Sequence, residues 1–290
     1  MRLQKSFQGA KASGTLYLVA TPIGNLEDMT YRAVRTLKEV QWIAAEDTRQ
    51  TRKLLAHFEI GTRLVAYHEH NKRASGPELI RLLLQGESIA LVSDAGLPAI
   101  SDPGSDLVRL AVEAEVPIVP VPGANAALSA LIVSGLPTDT FRFHGFLPRE
   151  KKPLREALEK LDRAEETLIF YESPHRVAKT LQSMIEVWGD RPVALARELT
   201  KKHEELLRGT ISEALAHLDQ HEALGEYCIV VGRGEPGAAG AREEAWWNGL
   251  SLEDHVARYE AQTGDRKEAM KRAAQDRGVS KRDIYNELNR

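Results

Sequence analysis

The sequence lacks the residues and runs that mark several large classes of protein. It contains one cysteine, Cys228, among 290 residues, which excludes an internal disulfide and a cysteine-based zinc site. No apolar run approaches the roughly 18–20 residues needed to cross a bilayer, and the first residues carry no signal-peptide core. The net charge of −3 shows no overall excess of positive charge, so a surface for nucleic acid must be local. We expect a cytoplasmic protein that makes no membrane contact.

Two frequent nucleotide-binding motifs are also absent. The chain has no G-x-x-x-x-G-K-[ST] run, which argues against P-loop nucleotide hydrolysis. No glycine-rich fingerprint follows the first predicted strand, which argues against a dinucleotide-binding Rossmann domain and a Rossmann-like methyltransferase. His68 and His70 share one face of a strand, but no third ligand lies nearby in sequence, so we expect no metal site.

The composition, with 42% hydrophobic and 28% charged residues, is typical of a globular protein. The length indicates two domains and a small appendage. We divide the chain into a polar N-terminal tail (1–13), an N-terminal α/β domain (14–139), a second α/β domain (140–233), a linker rich in Gly, Ala and Pro (234–241) and a helical tail (242–290).

Short apolar runs alternate with helical patterns in the first domain, which predicts βαβ units and a largely parallel sheet. The predicted strands are Thr15–Ala20, Trp42–Ala45, Leu64–Tyr67, Ile89–Ser93 and Val116–Val121. The predicted helices are Thr30–Val40, Arg49–Phe58, Pro77–Gln85, Asp106–Ala114 and Ala126–Val133. In the second domain, strands are predicted at Phe141–Gly145, Thr167–Tyr171, Val193–Arg197 and Tyr227–Val231, in an order that the sequence does not reveal. The short connection between the domains predicts a cleft between them.

The loops that follow the five strands of the first domain are rich in Gly, Pro, Asn and Asp. Such residues also form ordinary turns. However, the carboxyl ends of parallel strands share one edge of the sheet, where open α/β sheets bind ligands. The loop Ser93–Gly104 is also longer than a simple connection requires, and long loops are commonly functional. These loops therefore predict a ligand site at this edge.

Seven segments, in order, carry a resemblance to a known family. They are Leu18–Asp28, Ala45–Arg49, Tyr67–Asn71, Ser93–Gly104, Pro122–Ser129, Gly145–Arg149 and Phe170–Arg176. Together they resemble the ribosomal RNA small subunit methyltransferase I family, a bacterial branch of the tetrapyrrole methylase superfamily. The resemblance implies two α/β domains with S-adenosylmethionine in the cleft between them. It also implies 2′-O-methylation of a cytidine in the decoding centre of small-subunit (16S) ribosomal RNA, on naked RNA or the assembled small subunit, by a homodimer.

On this resemblance we expect the following residues to contact the cofactor: Pro22, Gly24, Asp94, Ala95, Gly96, Leu97, Gly123, Asn125, Ala126 and Tyr171. Asp94 suits the ribose hydroxyls, and the helix start at Gly123–Asn125 suits the carboxylate of the cofactor. Glu46, Asp47 and Glu172 are candidates for a general base or for positioning the ribose. Glu46–Arg49 has an alternative interpretation, a helix cap with a surface ion pair.

Basic residues at two places are expected to bind RNA phosphates. Near the cleft they are Arg49, Arg149, Arg176 and Lys201. In the tail they are Arg266, Lys267, Lys271, Arg272, Lys281 and Arg282. The pattern of Arg266–Leu288 predicts a helix-turn-helix with Ser280 as a cap. Between Arg266 and Arg282 there are seven basic and two acidic residues. The alternatives are a solvated basic face for Arg149 and Lys201, and a docking or dimerisation element for the tail.

Two other functions fit these patterns. One is a methyltransferase of the same superfamily that acts on a tetrapyrrole, which would need neither the basic tail nor the loop Glu46–Arg49. The other is a non-catalytic RNA-binding assembly factor that keeps the cofactor fold.

Overall fold

The computed structural model describes residues 3–4, 13–233, 247, 249–277 and 279–288, without the side chains of Gln275 and Lys281. The predicted linker, most of the N-terminal tail, the turn residue Gly278 and the side chain of Lys281 therefore lie outside the described residues. The chain forms two compact units, Met1–Gly234 and Glu235–Arg290, and each is described by itself.

The first sheet consists entirely of parallel strands in the order β3-β2-β4-β1-β5. The strands are β1 (Leu16–Val19), β2 (Trp42–Ala45), β3 (Arg63–Ala66), β4 (Ile89–Val92) and β5 (Ile118–Val121). The helices between them are α1 (Tyr31–Glu39), α2 (Thr48–His57), α3 (Lys72–Leu84) and α4 (Gly104–Glu113). Apolar residues of α1 and α2 pack on one face of this sheet, and those of α3 and α4 pack on the other. The predicted βαβ alternation is confirmed.

Helix α3 begins five residues before its predicted start at Pro77, so that prediction is wrong. The side chain of Asn71 builds the first turn, because its Oδ1 accepts from the His68 N–H at 2.8 Å and its Nδ2 donates to the Ala66 carbonyl at 2.9 Å. The Asn71 carbonyl then accepts from the N–H groups of Ala74 and Ser75. Pro77 therefore lies inside the helix rather than at its first position, where proline is usually best tolerated.

The second sheet is mixed, in the order β6-β7-β10-β8-β9, and only the β6–β7 pair is parallel. Its strands are β6 (Phe141–Phe146), β7 (Thr167–Glu172), β8 (Pro192–Arg197), β9 (Glu205–Thr210) and β10 (Tyr227–Val231). One face is covered by α6 (Lys151–Leu161), α7 (Val177–Trp188) and α8 (Ile211–Gln220). Sequence analysis missed β9, an edge strand that shows no alternation of buried and exposed residues.

The other face of the second sheet is covered by α5 (Ala126–Ser134), which follows β5 of the first sheet. Ala127, Ala130 and Leu131 of this helix pack against the apolar side chains of β7, β8 and β10. The small alanine side chains let the helix approach the sheet closely. Because α5 belongs by sequence to one sheet and packs on the other, it holds the carboxyl edge of the first sheet against the second.

The C-terminal unit contains α9 (Leu252–Thr263), α10 (Arg266–Arg277) and α11 (Lys281–Leu288) around a small core that includes Val256, Ala273 and Ile284. The Ser280 hydroxyl accepts from the Asp283 N–H at 3.2 Å, so the predicted cap of the last helix is confirmed. Within the described ranges of the chain, no helix is long and apolar enough to span a bilayer.

A fully buried histidine, His255, organises this unit. Arg277 donates from Nε to His255 Nδ1 at 3.1 Å, and Asp276 Oδ2 lies 3.1 Å from His255 Nε2. Since arginine can only donate, Nδ1 accepts and the ring proton sits on Nε2. The ring of Trp247 stacks on the imidazole with centroids 5.3 Å apart. The network therefore holds a neutral imidazole.

Burial lowers the pKa of His255 from its ordinary 6.5, and the Arg277 guanidinium also lowers it, against the opposing effect of the hydrogen bond that the ring donates to Asp276. The His255 ring is therefore protonated at a higher pH in the unfolded chain than in the folded chain. We expect the stability of the C-terminal unit to fall as the pH drops below about 6.5. In an NMR titration of the full chain, the His255 ring should titrate below that value, and a midpoint at or above it contradicts the prediction.

Candidate functional site

A cavity of about 580 Å³ lies between the carboxyl edge of the first sheet and the second sheet. The first sheet supplies residues that follow β1, β2, β4 and β5, and the second supplies residues of β6, β7, β8 and β10 together with the turn after β8. The side chains and backbone that line it include Ile23, Glu46, Asp94, Gly96, Asn125, Phe146, Tyr171, Glu172, Glu198, Lys201 and Cys228. The predicted ligand edge of the first sheet is therefore one wall of a cavity.

The loop after β4 is held in place by the loop after β1. The backbones of Thr21 and Gly96 exchange two hydrogen bonds, of 2.9 and 3.0 Å. Gly96 has a φ of +78°, and a Cβ there would lie 3.3 Å from the carbonyl oxygen of Ala124 and from Ile23. A glycine is therefore required, both for this backbone conformation and for the close approach of the neighbouring loops.

Asp102 fixes the far end of the same loop, a role that sequence analysis missed. Its Oδ1 accepts from the N–H groups of Ala99 and Gly104 at 2.8 and 2.7 Å. Ala99 and Ser101 both have positive φ, near +69° and +59°, so this carboxylate stabilises a strained segment. Burial raises the pKa of Asp102, and the nearby Asp94 carboxylate adds to that effect. The sequence signal for this role was an aspartate two positions before Gly104, where its side chain can accept a hydrogen bond from the Gly104 N–H.

Asp94 presents a carboxylate to the cavity from the loop after β4. Its Oδ1 accepts from the Asp47 backbone N–H at 3.0 Å, and its side chain is exposed. That bond orients the carboxylate and leaves its second oxygen available to hydroxyl groups in the cavity.

Glu46 and Asp47, which follow β2, have different surroundings. Glu46 lines the cavity, and burial raises its pKa, followed by repulsion from Asp94, Asp102 and Asp47. No described residue donates a hydrogen bond to the Glu46 carboxylate. Its raised pKa and free oxygens are features of a group that can exchange a proton with a ligand.

Asp47 caps α2 instead, by accepting from the Arg49 N–H at 2.8 Å. The Arg49 side chain also donates to both carboxylate oxygens, at 3.1 and 2.9 Å. These bonds lower the pKa of Asp47 to about 2. The alternative interpretation of this segment, a helix cap with a surface ion pair, is confirmed for Asp47 and Arg49.

Glu172, at the end of β7, is buried and both of its oxygens are engaged. Oε1 accepts from the Ser173 N–H and Oε2 from the Thr180 hydroxyl, each at 2.8 Å, and Arg176 lies 3.5 Å away. Arg176 also donates to the carbonyl oxygen of Pro148 at 2.8 Å. These two predicted site residues thus hold the loop after β6 to the start of α7.

Tyr171 forms the aromatic wall of the cavity, with Phe146 at 5.7 Å between ring centroids. Burial raises the pKa of the Tyr171 hydroxyl to about 12, against the opposing hydrogen bond from the Ala127 backbone. The hydroxyl therefore stays protonated, and its contact with the first turn of α5 ties the two walls of the cavity together.

Lys201, in the turn after β8, donates to Glu198 and to Glu226, each at 2.8 Å. A Cβ on Gly24 would collide with the side chain of Lys201 and lie 2.9 Å from the Thr200 hydroxyl. Gly24 is therefore the point at which the loop after β1 meets the turn after β8.

The structure places most of the predicted cofactor residues on the cavity surface. Those that line it are Asp94, Ala95, Gly96, Leu97, Asn125, Ala126 and Tyr171. Pro22, Gly24 and Gly123 do not line it, and a Cβ on Gly123 would lie 2.8 Å from that of Ala20, behind the wall. Sequence analysis also missed Phe146 and Glu198, which reach the cavity only through the packing of the second sheet.

The predicted RNA-binding residues differ in their exposure and in whether they already pair with a carboxylate. Arg149 is exposed and pairs with no carboxylate in the described part of the chain, whereas Arg176 and Lys201 have the internal partners given above. In the C-terminal unit, five of the predicted cations are exposed, namely Arg266, Lys267, Lys271, Arg272 and Arg282. Three of them have carboxylate partners: Arg266 lies 3.6 Å from Glu260, and Lys271 and Arg272 lie 3.7 and 3.5 Å from Glu268. Among the residues that the structure describes, no group of three or more His, Cys, Asp or Glu side chains is arranged to hold a metal ion.

Comparisons with known proteins match both the sequence and the fold. A family model described as Tetrapyrrole (Corrin/Porphyrin) Methylases matches residues 15–215. Proteins called Ribosomal RNA small subunit methyltransferase I from Halalkalibacterium halodurans and Bacillus subtilis are 57% and 53% identical to this chain. The alignments cover 99% and 98% of this chain and 98% and 97% of those proteins. The protein of that name from Synechocystis is 45% identical over 94% of this chain and 96% of its own.

Solved structures share the fold at lower identity. Uroporphyrin-III C-methyltransferase from Thermus thermophilus, in complex with S-adenyl homocysteine, has a TM-score of 0.54 and 20% identity, and covers 76% of this chain and 97% of its own. Diphthine synthase has a TM-score of 0.59 and 13% identity, and covers 76% of this chain and 90% of its own. Since one family model matches most of the chain and relatives at 45–57% identity align with almost all of it, the chain belongs to the tetrapyrrole methylase family and, within it, to the ribosomal RNA small subunit methyltransferase I family.

Proposed function

We propose that this protein transfers a methyl group from S-adenosylmethionine to the ribose 2′-oxygen of a cytidine in the decoding centre of small-subunit (16S) ribosomal RNA. The observation that carries the proposal is the cavity between the two sheets, which presents Asp94 and Glu46 side by side. The names of the curated relatives and their identity to this chain support the choice of ribosomal RNA as substrate class.

The cavity fits the proposed cofactor. Its volume of about 580 Å³ lies within the roughly 300–1,000 Å³ typical of small-molecule sites. The free oxygen of Asp94 suits ribose hydroxyls, and the backbone of Ala95–Leu97 can approach a folded ligand because Gly96 carries no side chain. Asn125 and Ala126, at the positive end of α5, suit a carboxylate. Pro22, Gly24 and Gly123 shape the wall from behind, and Tyr171 closes it from the second sheet.

Methyl transfer to a ribose hydroxyl needs positioning and the removal of one proton. When bound, S-adenosylmethionine supplies a methyl group already activated on a sulfonium. Glu46 would accept the proton that the ribose hydroxyl loses on methylation. Its raised pKa suits a proton acceptor better than that of Asp47, which Arg49 holds at about 2. Glu172 acts as a positioning residue, since its oxygens already bind Ser173 and Thr180.

RNA phosphates are proposed to bind Arg49 and Arg149 near the cavity, with Arg176 and Lys201 behind them, and the exposed cations of the C-terminal unit. The exposed cations of α10, which are Arg266, Lys267, Lys271 and Arg272, support the second set, and Arg282 of α11 adds to it. Lys281 belongs to this proposal by sequence alone. Small-subunit RNA, free or assembled, is the proposed partner.

A homodimer is also proposed. Helix α5 is apolar on all sides, and such helices are normally buried all round. Leu128 and Ile132 are nevertheless exposed, Ile132 by 75%. A second copy of the chain would cover them. Light scattering after size-exclusion chromatography tests this, and the mass of one chain at micromolar concentration contradicts it.

The decisive experiment is methyl transfer from labelled S-adenosylmethionine to small-subunit RNA and small subunits from a strain that lacks the protein. We expect label on the 2′-oxygen of one cytidine, located by mapping the product. Transfer to a tetrapyrrole but not to RNA would support the second enzymatic function considered above. Absence of cofactor binding by calorimetry at millimolar concentration would leave only the assembly-factor alternative.

Asp94→Asn should weaken the binding of S-adenosylmethionine by about tenfold or more, because a charged hydrogen-bond acceptor for the ribose is lost. Isothermal titration calorimetry measures the dissociation constant. Asp219→Asn is the matched control, since Asp219 is an exposed carboxylate of α8 outside the cavity lining. Affinity within about twofold of the unmodified protein would reject our placement of the ligand.

Glu46→Gln should slow methyl transfer in a single turnover by about 100-fold or more, as expected for the loss of a general base. Cofactor affinity should change little. In the unmodified protein the rate should fall as the pH drops through the raised pKa of Glu46, because the protonated carboxyl cannot accept a proton, and this dependence should disappear in the variant.

Glu172→Gln provides the comparison for that experiment. It should lower the melting temperature, because the Ser173 N–H and the Thr180 hydroxyl lose a charged acceptor. If the Glu46 variant keeps the full rate, or loses stability as the Glu172 variant does, Glu46 is not the base.

A further inference from the structure

Helix α2 carries an exposed basic stripe that the cavity does not use. Arg52 and Lys53 lie three and four residues after Arg49, His57 lies four residues after Lys53, and all four side chains are exposed. The helix contains no Asp or Glu. Arg52 and Lys53 pair with no carboxylate in the part of the chain that the structure describes, and Lys53 meets only the Gln50 amide, at 3.4 Å. These two adjacent cations are therefore available to an anionic partner.

A groove lies beside this stripe, between α1 and the end of α2. Its volume is about 550 Å³. Its lining combines apolar, aromatic and charged side chains: Met29, Tyr31, Val34, Arg35, Lys38, Glu39 and Phe58. Tyr31 is 97% exposed, although an aromatic ring of this size is usually largely covered. Phe58 forms the other aromatic side of the groove and is half-buried.

The charges around the groove favour an anion as well. Arg35 and Lys38 stand on the exposed face of α1, and the nearest carboxylate, Glu39, lies 4.0 Å from Arg35. The two helices pack in one apolar core on the same face of the first sheet, so their cations belong to one surface. Lys38 pairs with no carboxylate among the described residues, and an exposed aromatic ring beside such a cation is a combination that binds single-stranded nucleic acid.

We propose that this α1–α2 surface binds a single-stranded segment of the RNA substrate that flanks the target nucleotide. An unpaired base stacks on Tyr31 in the groove, and the phosphates follow Arg52 and Lys53 along α2. This inference rests on the proposed function, and it adds a surface outside the cavity and outside the basic tail.

The course of α2 supports the proposed path of the RNA. The helix starts at Thr48, two residues after Glu46, and therefore leads from the mouth of the cavity to the groove at Phe58. Arg52 and Lys53 lie between these two ends of the helix. Arg52 and Lys53, which pair with no carboxylate in the described part of the chain, favour a phosphate backbone over an apolar protein segment as the occupant.

The test measures binding of the full chain to a small-subunit RNA transcript at several salt concentrations, by filter binding. The variants are Arg52→Gln with Lys53→Gln, Tyr31→Ala, and Tyr31→Phe. The matched control is Lys160→Gln with Arg163→Gln, which removes two exposed cations at the end of α6, away from the cavity. Calorimetry with S-adenosylmethionine and the melting temperature verify that each variant keeps its fold.

The α2 variant should bind RNA about tenfold more weakly, and its slope of log affinity against log salt should fall by about 1.4, for two lost phosphate contacts. Tyr31→Ala should also lose about tenfold, the effect of one lost base stack, with no change in slope, whereas Tyr31→Phe should bind normally. The control pair should leave both the affinity and the slope unchanged.

Normal RNA affinity in the α2 and Tyr31→Ala variants overturns the inference, provided that the unmodified protein methylates the RNA. If the unmodified protein neither methylates nor binds the RNA, the proposed function itself has failed. If the Tyr31→Ala variant changes the oligomeric state and not the RNA affinity, the groove holds a second copy of the chain, and the inference is again wrong.

Discussion

The packing of α5 against the second sheet is the contact on which the rest of the structure depends. The helix grows out of the first sheet, yet Ala127, Ala130 and Leu131 are buried against the strands of the second. Apolar burial of this kind is the main favourable contribution to folding, but it does not by itself set the orientation of a helix. Here Asn125 fixes the point at which the helix begins, because its side chain caps the helix by accepting from the Leu128 N–H at 2.8 Å. The cap and the apolar face together decide where the loops of the first sheet meet Tyr171 and Glu172.

Electrostatics then distinguishes carboxylates that the sequence presents as neighbours. Glu46 and Asp47 are adjacent, but one faces a cavity shared with Asp94 and Asp102, and the other faces a helix terminus and Arg49. Repulsion and burial raise the pKa of the first, and hydrogen bonds lower the pKa of the second. Two adjacent carboxylates therefore differ in proton affinity because their surroundings differ.

Much of the first sheet follows from the sequence, because each buried strand is a short apolar run bounded by turn residues. Asp94, Gly96 and Asn125 are predictable for the same reason, since parallel strands deliver their following loops to one edge. The edge strand β9 is not predictable, because without one buried face it lacks a period-2 pattern. The inward pairing of Arg176 and Lys201 is not predictable either. The sequence around a basic side chain looks the same whether that side chain pairs with a distant carboxylate or faces solvent. Only the tertiary packing determines which of the two occurs.

The contact between Gly24 and the turn at Thr200–Lys201 has a consequence for the order in which the molecule is made. These residues meet only after the ribosome has synthesised most of the second sheet, so the first sheet can collapse early while one wall of its ligand site is still missing. Glu198 and Thr200 hold positive φ angles, near +50° and +66°, in a turn that is held by the hydrogen bond from the Thr200 N–H to the Glu204 carboxylate and that rests against Gly24. The cavity is thus complete only once β10, which supplies Tyr227 and Cys228, has been made, and an earlier folding intermediate lacks that wall and the stabilisation that an occupant would bring.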